Sequence, residues 1–249
     1  MNTWALLVEP QGRSGPINMG VDAALLALAQ KGSAFLRLYR WDPPCLSFGR
    51  NEPATRRYDR AAITTRALDT VRRPTGGRAV WHDTEVTYAV AAPIARFGSL
   101  PRSYQAIHEV LAHALTVLGA RATLAPRGRT PRPDAGACFA SPVGGEVMAS
   151  ERKVIGSAQV RDGTAFLQHG SILIENRQQR VAELTVGGAA PPPAAGLAEV
   201  LRRVPTFDEV SDAVAAAAQS AWGGPWTREA SPALVTPNLF ADPAWTWRR

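Results

Sequence analysis

Arg72-Arg73-Pro74-Thr75-Gly76-Gly77-Arg78-Ala79-Val80-Trp81-His82-Asp83 runs directly into the alternating Thr84-Glu85-Val86-Thr87-Tyr88-Ala89-Val90. A loop with two arginines, a hydroxyl, paired glycines, a third arginine and a His-Asp step therefore feeds a strand-like segment. Gly76 and Gly77 remove side chains where a ligand must approach the backbone, and they permit positive φ. Arg72, Arg73 and Arg78 offer forked donors suited to phosphate or carboxylate. The same string alone also reads as a Gly-Gly turn with solvated arginines, and segments further along decide between the two.

Working outward toward the N-terminus, Thr3 to Glu9 reads as a strand and Gly12 to Pro16 as a turn. Asn18 to Lys31 reads as a helix with Asn18 as N-cap, a buried stripe from Met19, Leu25 or Leu26 and Leu28, and a stop at Gly32. Phe35 to Trp41 and Cys45 to Phe48 read as strands, with Cys45 a small hydrophobe in the core. Arg56 to Ala67 reads as one helix. Met1 to Pro10 lacks a basic n-region and its apolar run is too short for a signal peptide. No stretch approaches the ~20 apolar residues of a membrane span, so the expectation is a soluble, cytoplasmic protein without membrane partners.

Toward the C-terminus, Pro101 to Ala120 is the clearest helix, with Tyr104, Ile107, Val110, Leu111, Ala114, Leu115 and Leu118 at helical spacing. His108 and His113 are five apart, not the three or four that converge on one metal, and both are expected at the surface. The Pro-, Gly- and Arg-rich run Pro126 to Asp134 cannot be regular structure, because its prolines fix φ and remove donors. Lys153 to Arg161 and Thr164 to Ile174 read as a hairpin turning at Asp162-Gly163. A Pro-rich linker follows at Gly187 to Gly196, then a short helix over Leu197 to Val204. A second helix opens with a capping box at Thr206 and runs to Trp222, and the tail from Pro225 is read as irregular. The division expected is a catalytic core at 1–186, with 187–249 a linker, helices and tail packed on the same domain. The fold class expected is α+β: a mixed, largely antiparallel sheet flanked by helices.

The 249 residues are 45% apolar and 20% charged, ordinary for a globular protein. The formal net charge of +7 attracts acidic partners, but no helix-turn-helix, RNP or basic-aromatic signature supports nucleic acid. Two cysteines, Cys45 and Cys138, are too few for a disulfide framework, and no zinc spacing exists. Phosphate-loop and dinucleotide fingerprints are absent, as are GxSxG and HExxH. What remains is Cys138 on a loop, Lys153 at a strand start 15 residues later, and His169-Gly170 in the next strand. A thiol reacts as thiolate and nearby cations lower its pKa. Cys138 is thus a candidate nucleophile, with an inert buried thiol as the alternative; Lys153 is either a functional ammonium or a strand-end surface lysine.

Thr75 to Asp83, Lys153-Val154-Ile155-Gly156-Ser157-Ala158-Gln159 and Gln168-His169-Gly170-Ser171-Ile172-Leu173 together closely resemble the lipoate-protein ligase/octanoyltransferase family. Asn18-Met19, Leu38 to Trp41 and Leu46 to Arg50 support the match, which covers about residues 1–185. Arg78 stands where ligases usually carry a third glycine, and with Ala137-Cys138-Phe139 it resembles the cysteine-dependent octanoyltransferases of the LipM type.

The resemblance implies the fold shared by biotin and lipoate ligases, and an acyl-thioester on Cys138 whose thiolate Lys153 favours. It implies no cofactor and no metal. The donor implied is octanoyl-acyl carrier protein. The acceptor implied is a lipoyl domain, of a 2-oxoacid dehydrogenase or of the glycine cleavage H protein, and the chain would act as a monomer. Arg73, Thr75, Gly76, Gly77, Arg78, Gly156, Ser157, Ala158 and Gly170 would line or shape the acyl slot. His82 and His169 would orient groups, move protons or serve as structural hydrogen-bonders. Two rival readings are an ATP-dependent lipoate-protein ligase acting through an acyl-adenylate, and a non-catalytic paralogue that binds lipoyl domains.

Overall fold

The computed structural model describes residues 3–125, 145–188, 193–233 and 238–249. Cys138 and the Pro126 to Asp134 run lie outside the described residues, as does 189–192 of the expected linker. In chain order the strands are β1 (Trp4–Arg13), β2 (Phe35–Trp41), β3 (Cys45–Phe48), β4 (Asp69–Arg72), β5 (Val80–His82), β6 (Glu85–Pro93), β7 (Ala122–Leu124), β8 (Val147–Ala149), β9 (Arg152–Lys153), β10 (Ile155–Asp162), β11 (Ala165–Leu173) and β12 (Trp226–Arg228). The helices are α1 (Gly15–Ala29), α2 (Ala54–Arg57), α3 (Arg60–Thr65), α4 (Leu100–Val117), α5 (Gln179–Glu183), α6 (Leu197–Leu201), α7 (Phe207–Trp222) and α8 (Pro243–Thr246).

The main sheet has the order β10-β11-β6-β2-β1-β12. β10, β11, β6 and β2 pair antiparallel in succession, while β1 is parallel to both β2 and β12. The sheet is therefore mixed, as expected. Smaller sheets β4-β3-β5 and β7-β8-β9 complete it.

Side chains alternate across a strand, and the main sheet uses the alternation to build two unlike faces. Leu36, Leu38, Val86, Tyr88, Val90, Phe166 and Ile172 join Ile107, Leu111 and Leu115 of α4 and Val210 and Val214 of α7 in one apolar cluster. On the opposite face Leu7, Phe35, Tyr39, Ala89, Ala91 and Leu167 meet Met19, Val21, Leu25 and Leu26 of α1. Both faces are covered, which is why the central strands are buried along almost their whole length. On the α1 face the outer strands carry Gly156, Ala158, His169, Ser171 and Thr87, small or polar residues that do not fill the space beneath α1 and β5.

Several local expectations are corrected. α1 starts at Gly15 behind Ser14, with Pro16 in its first turn, so Asn18 is not the N-cap. Proline's fixed φ suits that first turn, and Asn18 is instead buried inside the helix, bonding the carbonyls of Arg13 and Arg40. β1 continues through Gly12 to Arg13 where a turn was expected. The single helix expected over Arg56 to Ala67 breaks in two at Tyr58, because Asp59 caps α3 by accepting from the Ala62 amide and Tyr58 bridges to Thr185. The tail is not wholly irregular, since β12 extends the main sheet. The hairpin of β10 and β11 and the Thr206–Glu209 capping box match the sequence. Among the described residues no helix is long and apolar enough to cross a membrane.

Candidate active site

A slot with a cavity volume of about 20 Å³ opens on the α1 face, lined by Met19, Tyr39, Trp41, Arg73, Val80, His82, Thr87, Gly156, Ser157, Ala158, His169, Gly170 and Ser171. It crosses β10, β11, β6 and β2, three inter-strand steps or about 14 Å. Ser157 and Ala158 on the outermost strand are half-buried, whereas Met19, Tyr39, Trp41 and Thr87 are buried. The mouth is therefore at β10 and the deep end at β2. On the α4 side of the same strands a Cβ on Gly170 would lie 2.4 Å from the Gly156 carbonyl oxygen and 2.9 Å from Ser157 Oγ. Only glycine permits that approach.

Two histidines line the slot and a third lies across the sheet on α4, each with both ring nitrogens engaged. His169 Nδ1 is 2.8 Å from Asp22 Oδ2 and its Nε2 is 2.7 Å from Thr75 Oγ1. Asp22 also accepts from Arg37 Nη1 at 2.8 Å and from the Tyr39 hydroxyl at 3.0 Å. Burial works to raise the Asp22 carboxyl, but the His169 hydrogen bond and the Arg37 charge outweigh it and hold the group below the ordinary carboxylate range. Burial also pushes the His169 ring below its usual value, against the pull of Asp22. A neutral ring beside an ionised carboxylate carries its proton on Nδ1, so Nε2 accepts and Thr75 donates.

His82 repeats the pattern. Its Nδ1 is 2.8 Å from Glu85 Oε1 and its Nε2 is 2.6 Å from Ser47 Oγ. Trp41 stacks on the ring at 4.0 Å between centroids and donates to Thr87 Oγ1 at 2.7 Å. Thr87 and Ser171 both donate to Glu85 Oε1. The third histidine, His108, is buried on α4, a correction to the surface position expected for it; His113 is exposed as expected. His108 Nδ1 lies 2.6 Å from the Gly145 carbonyl and Nε2 lies 2.9 Å from Ser157 Oγ. Burial pushes its pKa down to about 4, and the Lys153 charge adds to the effect against the Gly145 hydrogen bond. A signal for it existed in the sequence: His108 falls four after Tyr104, three before Leu111 and seven before Leu115, on the apolar stripe itself.

The arginines of the loop are not a free phosphate cradle. Arg72 is buried and donates to the carbonyls of Gly49, Glu52, Thr246 and Arg248. Arg73 lines the slot and donates to Ser47 and to the Arg78 carbonyl. Thr75 is buried behind His169, while Gly76, Gly77 and Arg78 are not among the lining residues. Gly77 sits at φ +90° with its carbonyl so close to Gly49 that a Cβ there would lie 1.8 Å away. The paired glycines thus seat the loop against β3. Lys153 is buried, its Nζ 2.6 Å from Glu146 Oε1. It leads through Val154 into the Gly156–Ser157 mouth. Cys45 is fully buried, and burial with the neighbouring Asp69 carboxylate pushes its thiol well up, as suits core filler. Asp22, Arg37, Ser47, Glu85 and the deep wall of Met19, Tyr39 and Trp41 were not named as site residues from sequence, although Asn18-Met19, Leu38 to Trp41 and Leu46 to Arg50 supported the resemblance. A charged residue inside an apolar helix, Asp22, and one inside an apolar strand, Arg37, were the available hints.

Residues 14–219 match the family model of the lipoyl protein ligase A/B catalytic domain. The chain is 43% identical over 185 residues to a protein of Kyrpidia tusciae named octanoyltransferase LipM, covering 70% of this chain and 67% of that one. It is 40% identical to one of the same name from Moorella thermoacetica, covering 69% and 65%. The chain thus spans about two thirds of the length of these relatives. A structure of Ta0514 from T. acidophilum, a putative lipoate protein ligase with bound lipoic acid, superposes with a TM-score of 0.79 over 99% of this chain and all of that one; at 18% identity it shows the shared fold. On the family match and these identities, the chain belongs to the lipoyl protein ligase A/B catalytic domain family.

Proposed function

We propose that this chain transfers an octanoyl group from octanoyl-acyl carrier protein to the lysine of a lipoyl domain, through an acyl-thioester on Cys138. The observation that carries the reading is the slot, a narrow passage across the sheet floored by Gly156, Ala158 and Gly170 and ended by Met19, Tyr39 and Trp41. Gly156, Ala158 and Gly170 carry no bulky side chain that would bar an unbranched acyl chain, and relatives named octanoyltransferase LipM at 40–43% identity support the chemistry. An acyl-adenylate would need donors for phosphate, and Arg72 is committed to the C-terminal carbonyls.

In this mechanism the Cys138 thiolate attacks the donor's thioester carbonyl, and the carrier's thiolate leaves. One thioester replaces another, so the step is nearly balanced and needs no ATP. The acceptor lysine's ε-amine then attacks the acyl-cysteine, and formation of an amide from a thioester drives the cycle. Lys153 supplies a cation that favours the thiolate, and Arg73, His82 and His169 hold the slot's polar wall in place. Gly76, Gly77 and Arg78 act behind that wall by fixing the loop. The acceptors are lipoyl domains, of 2-oxoacid dehydrogenases or the glycine cleavage H protein, and the chain works as a cytoplasmic monomer. Its net charge of +7 steers acidic partners to it.

The test is transfer with purified components and no nucleotide. Octanoyl-acyl carrier protein plus an apo lipoyl domain should give a lipoyl domain heavier by one octanoyl group. Transfer that requires ATP and free acid would contradict the proposal.

A further inference from the structure

Arg72 draws a set of cations together. It holds the carbonyls of Gly49, Arg50 and Glu52 on one side and those of Thr246 and Arg248 on the other, and so sets the last residues against the turn after β3. Arg248 Nη2 donates to the Arg50 carbonyl at 3.0 Å, its guanidinium lies 3.7 Å from the Trp245 ring centre, and the Thr55 amide of α2 donates to the Arg249 main-chain oxygen at 2.9 Å. Arg50, Arg56 and Arg249 are exposed and Arg248 is half-buried. Arg57 and Arg66 nearby are paired with Glu52 and Glu183, but these four arginines have no ion pair among the described residues. The carboxylates of the same segments are committed elsewhere: Glu52 Oε1 accepts from Arg57 and Tyr58, Asp59 from the Ala62 amide and Asp242 from the Ala244 amide. Burial, and after it the charges of Arg50 and Arg249, push Arg248 below its usual value, as crowded cations do to one another.

Like charges held together without a counter-charge work against a fold, and a partner that brings carboxylates would relieve them. Guanidiniums are forked donors suited to carboxylates, and Arg248 is already ordered by Trp245, so little freedom is lost when it binds. None of the four lines the slot. β4, which carries Arg72, is separated by β3 from β5, whose Val80 and His82 line the slot; the two inter-strand steps make about 10 Å. A lysine side chain spans less than that, so an acceptor has to dock at the slot itself. A carrier protein holds its acyl group on a long flexible arm and can dock to one side. We infer that Arg50, Arg56, Arg248 and Arg249 form the docking surface for an acidic face of the acyl carrier protein that donates the octanoyl group. The inference rests on the octanoyl-transfer reading, and to the steering by net charge it adds a fixed place for the donor.

The side chains of Arg50, Arg56 and Arg249 donate no hydrogen bond among the described residues, so reversing their charge breaks no internal contact. Acyl carrier protein without its acyl group, and separately an apo lipoyl domain, are titrated onto the full chain by fluorescence anisotropy. The triple variant Arg50→Glu, Arg56→Glu, Arg249→Glu should weaken carrier binding at least about tenfold and leave lipoyl-domain binding within about twofold. A control reverses Arg121, Arg202 and Arg228, which are also exposed, and lowers the net charge of +7 by the same amount. It should weaken carrier binding less than about threefold, because separated surface charges are screened. Raising salt from about 50 to about 300 mM should weaken the parent at least about fivefold and the triple variant less than about twofold. Equal losses in the variant and the control, or a loss confined to the lipoyl domain, overturn the assignment. A parent whose carrier binding ignores salt overturns it whatever the stability of the variants. So does a parent that binds a DNA duplex through these arginines more tightly than it binds the carrier. A parent that binds the carrier yet never passes an octanoyl group to the lipoyl domain would instead sink the octanoyl-transfer reading beneath it.

Discussion

Replacing Asp22 by asparagine removes the carboxylate on which the buried side of the slot depends. Asp22 and Arg37 are both fully buried, and Arg37 Nη1, His169 Nδ1 and the Tyr39 hydroxyl all donate to that carboxylate. Breaking a buried pair by deleting one charge costs about 3–5 kcal/mol. Glu9 still faces Arg37 Nε at 2.6 Å and asparagine keeps one acceptor oxygen, which places Asp22→Asn at the lower end, about 3 kcal/mol. For a chain of this length about 2–4 °C accompany each kcal/mol, so the melting temperature should fall by about 6–12 °C at pH 7. Differential scanning calorimetry measures it. Nitrogen NMR of His169 supplies a second readout: the parent ring should be neutral and protonated on Nδ1, and the variant should lose that preference. A fall of less than about 2 °C with the tautomer unchanged would refute the view that this carboxylate orders the site.

Gly170→Ala should destabilise by about 1–3 kcal/mol in urea titration, because the added methyl meets the Gly156 carbonyl at 2.4 Å; an unchanged midpoint would mean the strands can part freely. His108 titrates near 6.5 unfolded and at about 4 folded. Between those values the unfolded chain binds more protons, so stability is full above about 6.5 and falls as pH drops toward 4. The loss should reach about 2.5 kcal/mol by pH 4.5, seen as a shift in denaturation midpoint from pH 7 and smaller in His108→Gln. Arg72→Ala should raise amide hydrogen exchange in the segment from Trp245 to Arg248 at least tenfold, since Arg72 holds the carbonyls of Thr246 and Arg248.

Patterns that repeat along one element were legible without coordinates. The β10–β11 hairpin declared itself by Asp162-Gly163 between extended runs, and α7 by the Thr206–Glu209 box, because turn and cap chemistry are local. The slot was half legible: Gly156, Ser157, Ala158, His169 and Gly170 stand together in sequence on paired strands. Its far wall was not, because Met19, Trp41 and Val80 come from three elements and look like ordinary core. The arginines misled for a physical reason. Arg72 has the composition of an anion binder, but its partners are backbone carbonyls at Trp245, Thr246 and Arg248, more than 170 positions away. His108 was placed at the surface by the spacing between histidines, when its spacing to Tyr104 and Leu111 governed its fate.

The central claim is an acyl group carried on one sulfur. Incubation of the protein with octanoyl-acyl carrier protein, followed by intact mass and peptide mapping, should show one octanoyl adduct on the peptide containing Cys138. The adduct should persist in Cys45→Ala, whose thiol is core, and vanish with transfer activity in Cys138→Ala. A Cys138→Ala protein that still carries the adduct, or that modifies the lipoyl domain at the parent rate, would contradict the account.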